Sequence, residues 1–136
     1  MACFEDQVAI ITGGGGEIAS ALAARLGAEG ARIVVVEYHQ GRGEESVDRL
    51  GKQGVDTRLI VGDVGEPGVA DDAVNESLAA WGRMDMLVNN AAVIELTPFL
   101  EFSEASYDWI QAVNLKGPFL CSQAVVKVLI EQGEGG

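Results

Sequence analysis

Short apolar runs recur along this chain, and each is followed by a stretch with helical spacing. Val8–Thr12 reads VAIIT, with no polar alternation, as expected of a strand buried on both faces. Arg32–Glu37 (RIVVVE), Thr57–Val61 (TRLIV) and Asp85–Asn89 (DMLVN) read as three further strands. After the first run, Ile18, Leu22 and Leu26 fall four apart, and Gly27 and Gly30 close that helix. Arg42–Gln53 sets Val47 and Leu50 against charged positions, and Val69–Trp81 repeats Ala70, Val74, Leu78 and Trp81. A last, long helix is expected over Ser103–Ile130, with Ile110, Val113, Leu120, Ala124 and Val128 along it. The Ser103 hydroxyl can cap its first turn, where Glu104 suits the positive end. Pro118 lacks an N–H and predicts a kink or local loosening.

Strand and helix therefore alternate four times, which calls for a parallel sheet with helices on both faces. Right-handed crossovers restrict the topology to a doubly wound, Rossmann-like α/β sheet, incomplete and with strand order 3-2-1-4. The chain has 136 residues, enough for one core and too few for two. Residues 1–130 read as one Rossmann-type domain. Residues 131–136, EQGEGG, have no apolar content and are expected to be a flexible tail. The fourth strand would leave an apolar edge unpaired, which predicts poor solubility or dimerisation through that edge.

Composition narrows the class of partner. Asp and Glu outnumber Lys and Arg 21 to 9, a formal charge of -12, so neither nucleic acid nor an anionic membrane finds the basic footprint it needs. No unbroken apolar run approaches the ~20 residues of a membrane span. Cys3 and Cys121 stand far apart and there is one His, which argues against a structural zinc site and for a reducing compartment. The opening MACFEDQ carries acids and no signal pattern, so a cytoplasmic location is expected, with no metal.

The chemistry gathers at the first strand-to-helix turn, Thr12-Gly-Gly-Gly-Gly-Glu-Ile-Ala19. A helix N-terminus offers unpaired N–H groups and about half a positive charge, and so favours phosphate. The generic G-x-G-x-x-G/A fingerprint fits Gly14, Gly16 and Ala19, in the required place between strand and helix. Glu37 ends the second strand about twenty residues on, where a carboxylate can accept both hydroxyls of an adenosine ribose. It would repel a 2′-phosphate, which favours NAD over NADP. A plain flexible turn and a solvated strand-end acid are the bland alternatives; Arg42 could reach a 2′-phosphate but lies in the next helix.

VAIITGGGG, VVVE, GDV (62–64), WGRMDMLVNNAAV (81–93) and VNLKGPF (113–119), in this order and at these intervals, resemble the short-chain dehydrogenase/reductase family over essentially the whole chain. The resemblance implies that Thr12, Gly13, Gly15, Gly16, Glu17 and Ile18 form the turn around the cofactor diphosphate. It assigns Glu37 and Tyr38 to the ribose end, Asp63 to the adenine amino group and Val64 to the adenine face. Asn90, Ala91 and Ala92, with Asn89 beside them, and Val113 wall the cofactor. Asn114 matches the helix Asn that holds a water in a catalytic proton relay. An alcohol or ketone substrate and a homo-oligomer are implied as well.

Three positions depart from the family's common pattern, which has Gly at Glu17, Ala19 and Ala92. The pattern of its longer members, T-G-x-x-G-x-x-G/A, is met by Thr12, Gly13, Gly16 and Ala19. In that register Gly16 gives the close approach, and Glu17 is expected to face solvent. The family's Ser and Y-x-x-x-K have no counterpart here: Tyr38 is followed at the fourth place by Arg42, and Tyr107 by Gln111. The family's Ser would fall just past Gly136. Three readings stay open: the cofactor half of a hydride-transferring oxidoreductase, a non-catalytic dinucleotide-binding module, and a truncated fragment without function.

Overall fold

A computed structural model describes residues 3–133. Its elements are β1 (Val8–Thr12), α1 (Glu17–Ala28), β2 (Arg32–Glu37), α2 (Gln40–Lys52), β3 (Thr57–Val61), α3 (Val69–Trp81), β4 (Met86–Val88), α4 (Glu104–Gln111) and α5 (Gly117–Gln132). The four strands are parallel, as the alternating pattern requires, and lie in the expected order β3-β2-β1-β4.

Each strand sends alternate residues to opposite faces, and the two faces build two cores. Ala9, Ile11, Ile33 and Val35 meet Ala19, Ala23 and Leu26 of α1 and Leu50 of α2. Val8, Ile10, Val34 and Val36 meet Ala73 and Val74 of α3 and Cys121, Val125 and Val128 of α5. β1 is buried throughout, and β2 is buried after Arg32. Each such aliphatic side chain contributes roughly 1.5–3 kcal/mol relative to exposure. β3, at the sheet edge, is only half-buried.

Several expectations shift in detail. The buried face of α2 is Gly43, Ser46 and Leu50, with Val47 only partly buried beside them. A Cβ on Gly43 would stand 2.6 Å from Leu59 Cδ1, so the glycine lets α2 lie close against the sheet. The expected single helix over 103–130 is three segments, with a π-helical turn at Ala112–Lys116 between α4 and α5. Pro118 follows that turn; it cannot donate to the preceding carbonyls, and the ladder loosens there as the proline predicts. Ser103 does cap α4, its Oγ accepting from Ser106 N–H at 3.0 Å. A short 3₁₀ turn, Phe99–Glu101, was not anticipated.

Glu131 and Gln132, expected in a flexible tail, are the last residues of α5. The Gln132 amide pairs with the backbone of Met84, accepting from its N–H at 2.9 Å and donating to its carbonyl at 2.8 Å. That polar pairing replaces the apolar contact whose absence led to the tail expectation; residues 134–136 lie outside the described residues. The helical run Glu104–Gln132 is also long and apolar enough, by length and composition, to cross a membrane, although no unbroken apolar run is. Its Val113, Cys121, Ala124, Val125 and Val128 belong to the core, while Leu115, Phe119, Val126 and Ile130 are exposed.

Candidate functional site

Beyond the carboxyl ends of β1, β2 and β4, a cavity of about 550 Å³ opens. Parallel strands leave such a crevice where the order reverses, here between β1 and β4. Its walls come from the β1–α1 turn (Gly13, Gly16), the end of β2 and start of α2 (Val36–His39, Arg42), the segment after β3 (Gly62–Val64), the segment after β4 (Asn90–Val93), and Trp109 and Val113.

The turn is held from three sides. Gly13 has φ +64°, and a Cβ there would come within 2.9 Å of Ala91 Cα. Only glycine accepts both conditions without strain. Thr12 is buried and ties β1 to β4: its Oγ1 accepts from the N–H groups of Asn90 and Ala91, both at 3.0 Å. The Asn90 side chain donates back to the carbonyls of Thr12 (3.1 Å) and Gly13 (3.3 Å). Gly16 is the N-cap of α1, and no side chain caps that helix. The N–H groups of residues 17–19, which have no intrahelical acceptor, are left for an anion.

Glu37 is the buried acid of the site, 5% exposed. Its Oε2 accepts from Gly15 N–H at 2.9 Å and its Oε1 from His39 N–H at 3.1 Å. Two backbone donors compensate the burial of the charge and leave further lone pairs toward the cavity. Asp63 also lines the cavity, while its Oδ1 accepts from Gly65 N–H at 2.8 Å, so it shapes its own turn. Val64 presents an apolar wall beside it.

Of the residues expected at the cofactor, Gly13, Gly16, Glu37, Tyr38, Asp63, Val64, Asn90, Ala91, Ala92 and Val113 line this cavity. Thr12, Gly15, Glu17, Ile18 and Asn89 do not, nor does Asn114, the residue expected in the proton relay. Thr12 acts from behind, and the Gly15 N–H is engaged by Glu37. Glu17 and Ile18 are exposed on the first turn of α1. The Asn114 side chain is taken up by the backbone of Val93, accepting from its N–H and donating to its carbonyl, both at 2.8 Å. Its amide thus braces the wall after β4.

Sequence reasoning missed Val36, His39, Gly62, Val93 and Trp109, and set Arg42 aside. Val36, Gly62 and Val93 lie inside recognised motifs and His39 follows Tyr38, so a signal for these four was available. Trp109 reaches the cavity from α4, and nothing local in its surroundings announces that.

The geometry agrees with what known proteins show. The family model described as short chain dehydrogenase matches residues 7–136. An uncharacterized oxidoreductase of Thermotoga maritima is 34% identical over 132 residues, which cover 97% of this chain and 52% of that protein. A sorbitol dehydrogenase of Cereibacter sphaeroides is 33% identical, covering 97% of this chain and 50% of its own length. The crystal structure of an NAD+-bound xylitol dehydrogenase superposes with a TM-score of 0.91 at 28% identity, over 98% of this chain and 52% of that one. The chain spans about half the length of the curated relatives it matches. A parallel sheet in the order 3-2-1-4, a glycine turn closed by a strand-end acid and a match from residue 7 onward together make this chain a member of the short-chain dehydrogenase family.

Proposed function

We propose that this chain carries the cofactor half of an oxidoreductase that moves hydride between NAD and a small alcohol or ketone. The observation that carries the reading is the buried Glu37 carboxylate on the cavity wall, fixed by two backbone N–H groups beside the uncapped start of α1. The residues fit a dinucleotide along its length. Backbone N–H groups of the α1 turn hold the diphosphate, Glu37 accepts the ribose hydroxyls, Asp63 and Val64 take the adenine, and Asn90–Val93 wall the nicotinamide side. The bound cofactor supplies the hydride chemistry; this chain's residues bind, orient and exclude water.

NAD is the preferred dinucleotide. A 2′-phosphate would stand against Glu37, and like charges ~4 Å apart cost about 1 kcal/mol in water and several-fold more in a drier crevice. Arg42, also on the wall, offsets part of that repulsion without reversing it. The polyols that relatives are named for, sorbitol, galactitol and D-threitol, support a small polyol or related ketone as the substrate class. The acid-rich surface, the free cysteines and the unpaired β4 edge support a cytoplasmic protein without nucleic-acid or membrane partner, which forms homo-oligomers.

A second reading, dinucleotide binding without turnover by this chain, is favoured by the two tyrosines. Neither Tyr38 nor Tyr107 has the lysine four places on that the family's Y-x-x-x-K requires: Arg42 follows Tyr38 and Gln111 follows Tyr107. Titrating NAD and NADP by calorimetry, with an alcohol oxidation assay alongside, separates the readings. Binding with turnover supports the first and binding alone the second; no binding rejects both. Trp109 lines the cavity, whereas Trp81 is engaged elsewhere with Asp56 and Arg58. The fluorescence response to NAD is therefore expected to vanish in Trp109→Phe and survive in Trp81→Phe.

A further inference from the structure

Ser46 sits in the middle of α2, fully buried, in a position where serine is a poor helix former. A mid-helix serine usually turns to solvent or to the carbonyl one turn back. This one donates instead to the carbonyl of Gly14, across the α1–α2 interface, at 2.8 Å. The same carbonyl accepts from Ser20 Oγ at 3.3 Å, and Ser20 in turn accepts from Arg49 at 2.8 Å.

The Gly14 carbonyl and the Gly15 N–H belong to one trans peptide and point in opposite directions. Ser46 holds the carbonyl end, and Glu37 holds the N–H end at 2.9 Å. Rotating that peptide plane breaks both bonds together. A flanking pair of glycines offers little steric resistance to such a rotation, so the hydrogen bonds decide the orientation. On the reading of Glu37 as the ribose acceptor, we propose that Ser46 is a positioning residue for cofactor choice: through the Gly14–Gly15 peptide it fixes the Glu37 carboxylate where it meets the ribose and excludes a 2′-phosphate. Ser46 is absent from the cavity wall and acts from the far side of the glycine turn.

Amide hydrogen exchange and calorimetry on the 136-residue chain test this. In Ser46→Ala the Gly15 amide is expected to exchange about tenfold faster, while the sheet amides of Ile10 and Val34 keep their rates. NAD affinity falls about fivefold and the preference over NADP narrows by a similar factor. Ser46→Thr, which keeps the hydroxyl, restores the preference. A purely structural serine would lower the unfolding midpoint without moving the ratio of NAD to NADP affinity. Wild-type Gly15 exchange together with a wild-type ratio in folded Ser46→Ala overturns the proposal. Should that variant not fold, Ser46→Cys keeps the volume with a weaker donor and is judged by the same two readouts. Wild-type protein that binds neither dinucleotide overturns the ribose role of Glu37 and Ser46 alike. Binding lost in Glu37→Ala with an unmoved ratio in Ser46→Ala rejects the Ser46 inference alone.

Discussion

The two sides of the sheet's switch point differ in how completely they are finished. On the β2 side, β1 and β2 are buried, α1 and α2 cover one face, and the glycine turn is tied to Glu37, Ser46 and Val36. On the β4 side, β4 has three half-buried residues and no neighbour on its outer edge among the described residues. The segment after it exposes Ile94, Leu96, Phe99 and Leu100, the last at 94%, and Leu115, Phe119 and Ile130 are exposed further on. The β2 side, built from local turns and adjacent crossovers, closes on itself.

The seam between the two sides is where the largest effect is expected. Gly13→Val adds a branched side chain at φ +64° against Ala91, and should cost about 4 kcal/mol of unfolding free energy and abolish dinucleotide binding. Denaturant titration that finds the variant as stable as wild type would show that the seam is not packed as described. Within the finished side, Glu37→Ala strips the acceptor from two N–H groups and, on the proposed reading, from the ribose. NAD affinity should drop by about 2 kcal/mol, ~30-fold, with discrimination against NADP relaxed. Calorimetric affinities that stay unchanged remove Glu37 from the ribose site.

Asp85 sharpens the comparison from below, since it fastens the loop before β4 to the start of β1. Its Oδ2 accepts from Val8 N–H at 2.8 Å, and Arg83 pairs with both carboxylate oxygens. Burial alone would raise its pKa; the Arg83 hydrogen bonds, the Val8 N–H and the Arg83 charge outweigh burial and hold it below the ordinary 3.8. A carboxyl lowered in the folded state stabilises fully above its unfolded pKa, and that share is lost as pH falls through the lower folded value. Asp85→Asn is expected to lose about 1.5 kcal/mol at neutral pH and to fall less steeply below about pH 4. An acid-unfolding limb that superimposes on wild type contradicts this. The smallest effect on folding is expected on the unfinished side. Phe99→Ser with Leu100→Ser should change stability by less than about 0.5 kcal/mol while raising the concentration at which light scattering detects self-association. A large loss of stability would mean that these side chains belong to the core.

Legibility followed the range of the forces involved. VAIIT, RIVVVE and the glycine turn speak through local sequence, because burial on both faces and a phosphate-ready helix start each need a contiguous pattern. Glu37 was readable because strand geometry fixes its distance from the turn. The π-helical turn before Gly117 was foreshadowed by Pro118, though not its hydrogen-bond pattern. The Gln132–Met84 pairing and Ser46 under Gly14 were not readable, for they join residues 48 and 32 positions apart through one or two polar contacts; nor was Trp109, whose place on the cavity wall is set by how α4 packs.

Taken alone, the order of apolar runs and helical stripes determined the parallel, doubly wound sheet and the end of it at which a crevice opens, since periodicity and crossover handedness leave few alternatives. Tertiary structure decided which groups face that place. It turned Glu17 outward, engaged Asn114 with the wall, sank Glu37 between two N–H donors and brought Ser46 beneath the turn. Direction and partnership of a polar side chain depend on what packs opposite it, and no local pattern encodes that.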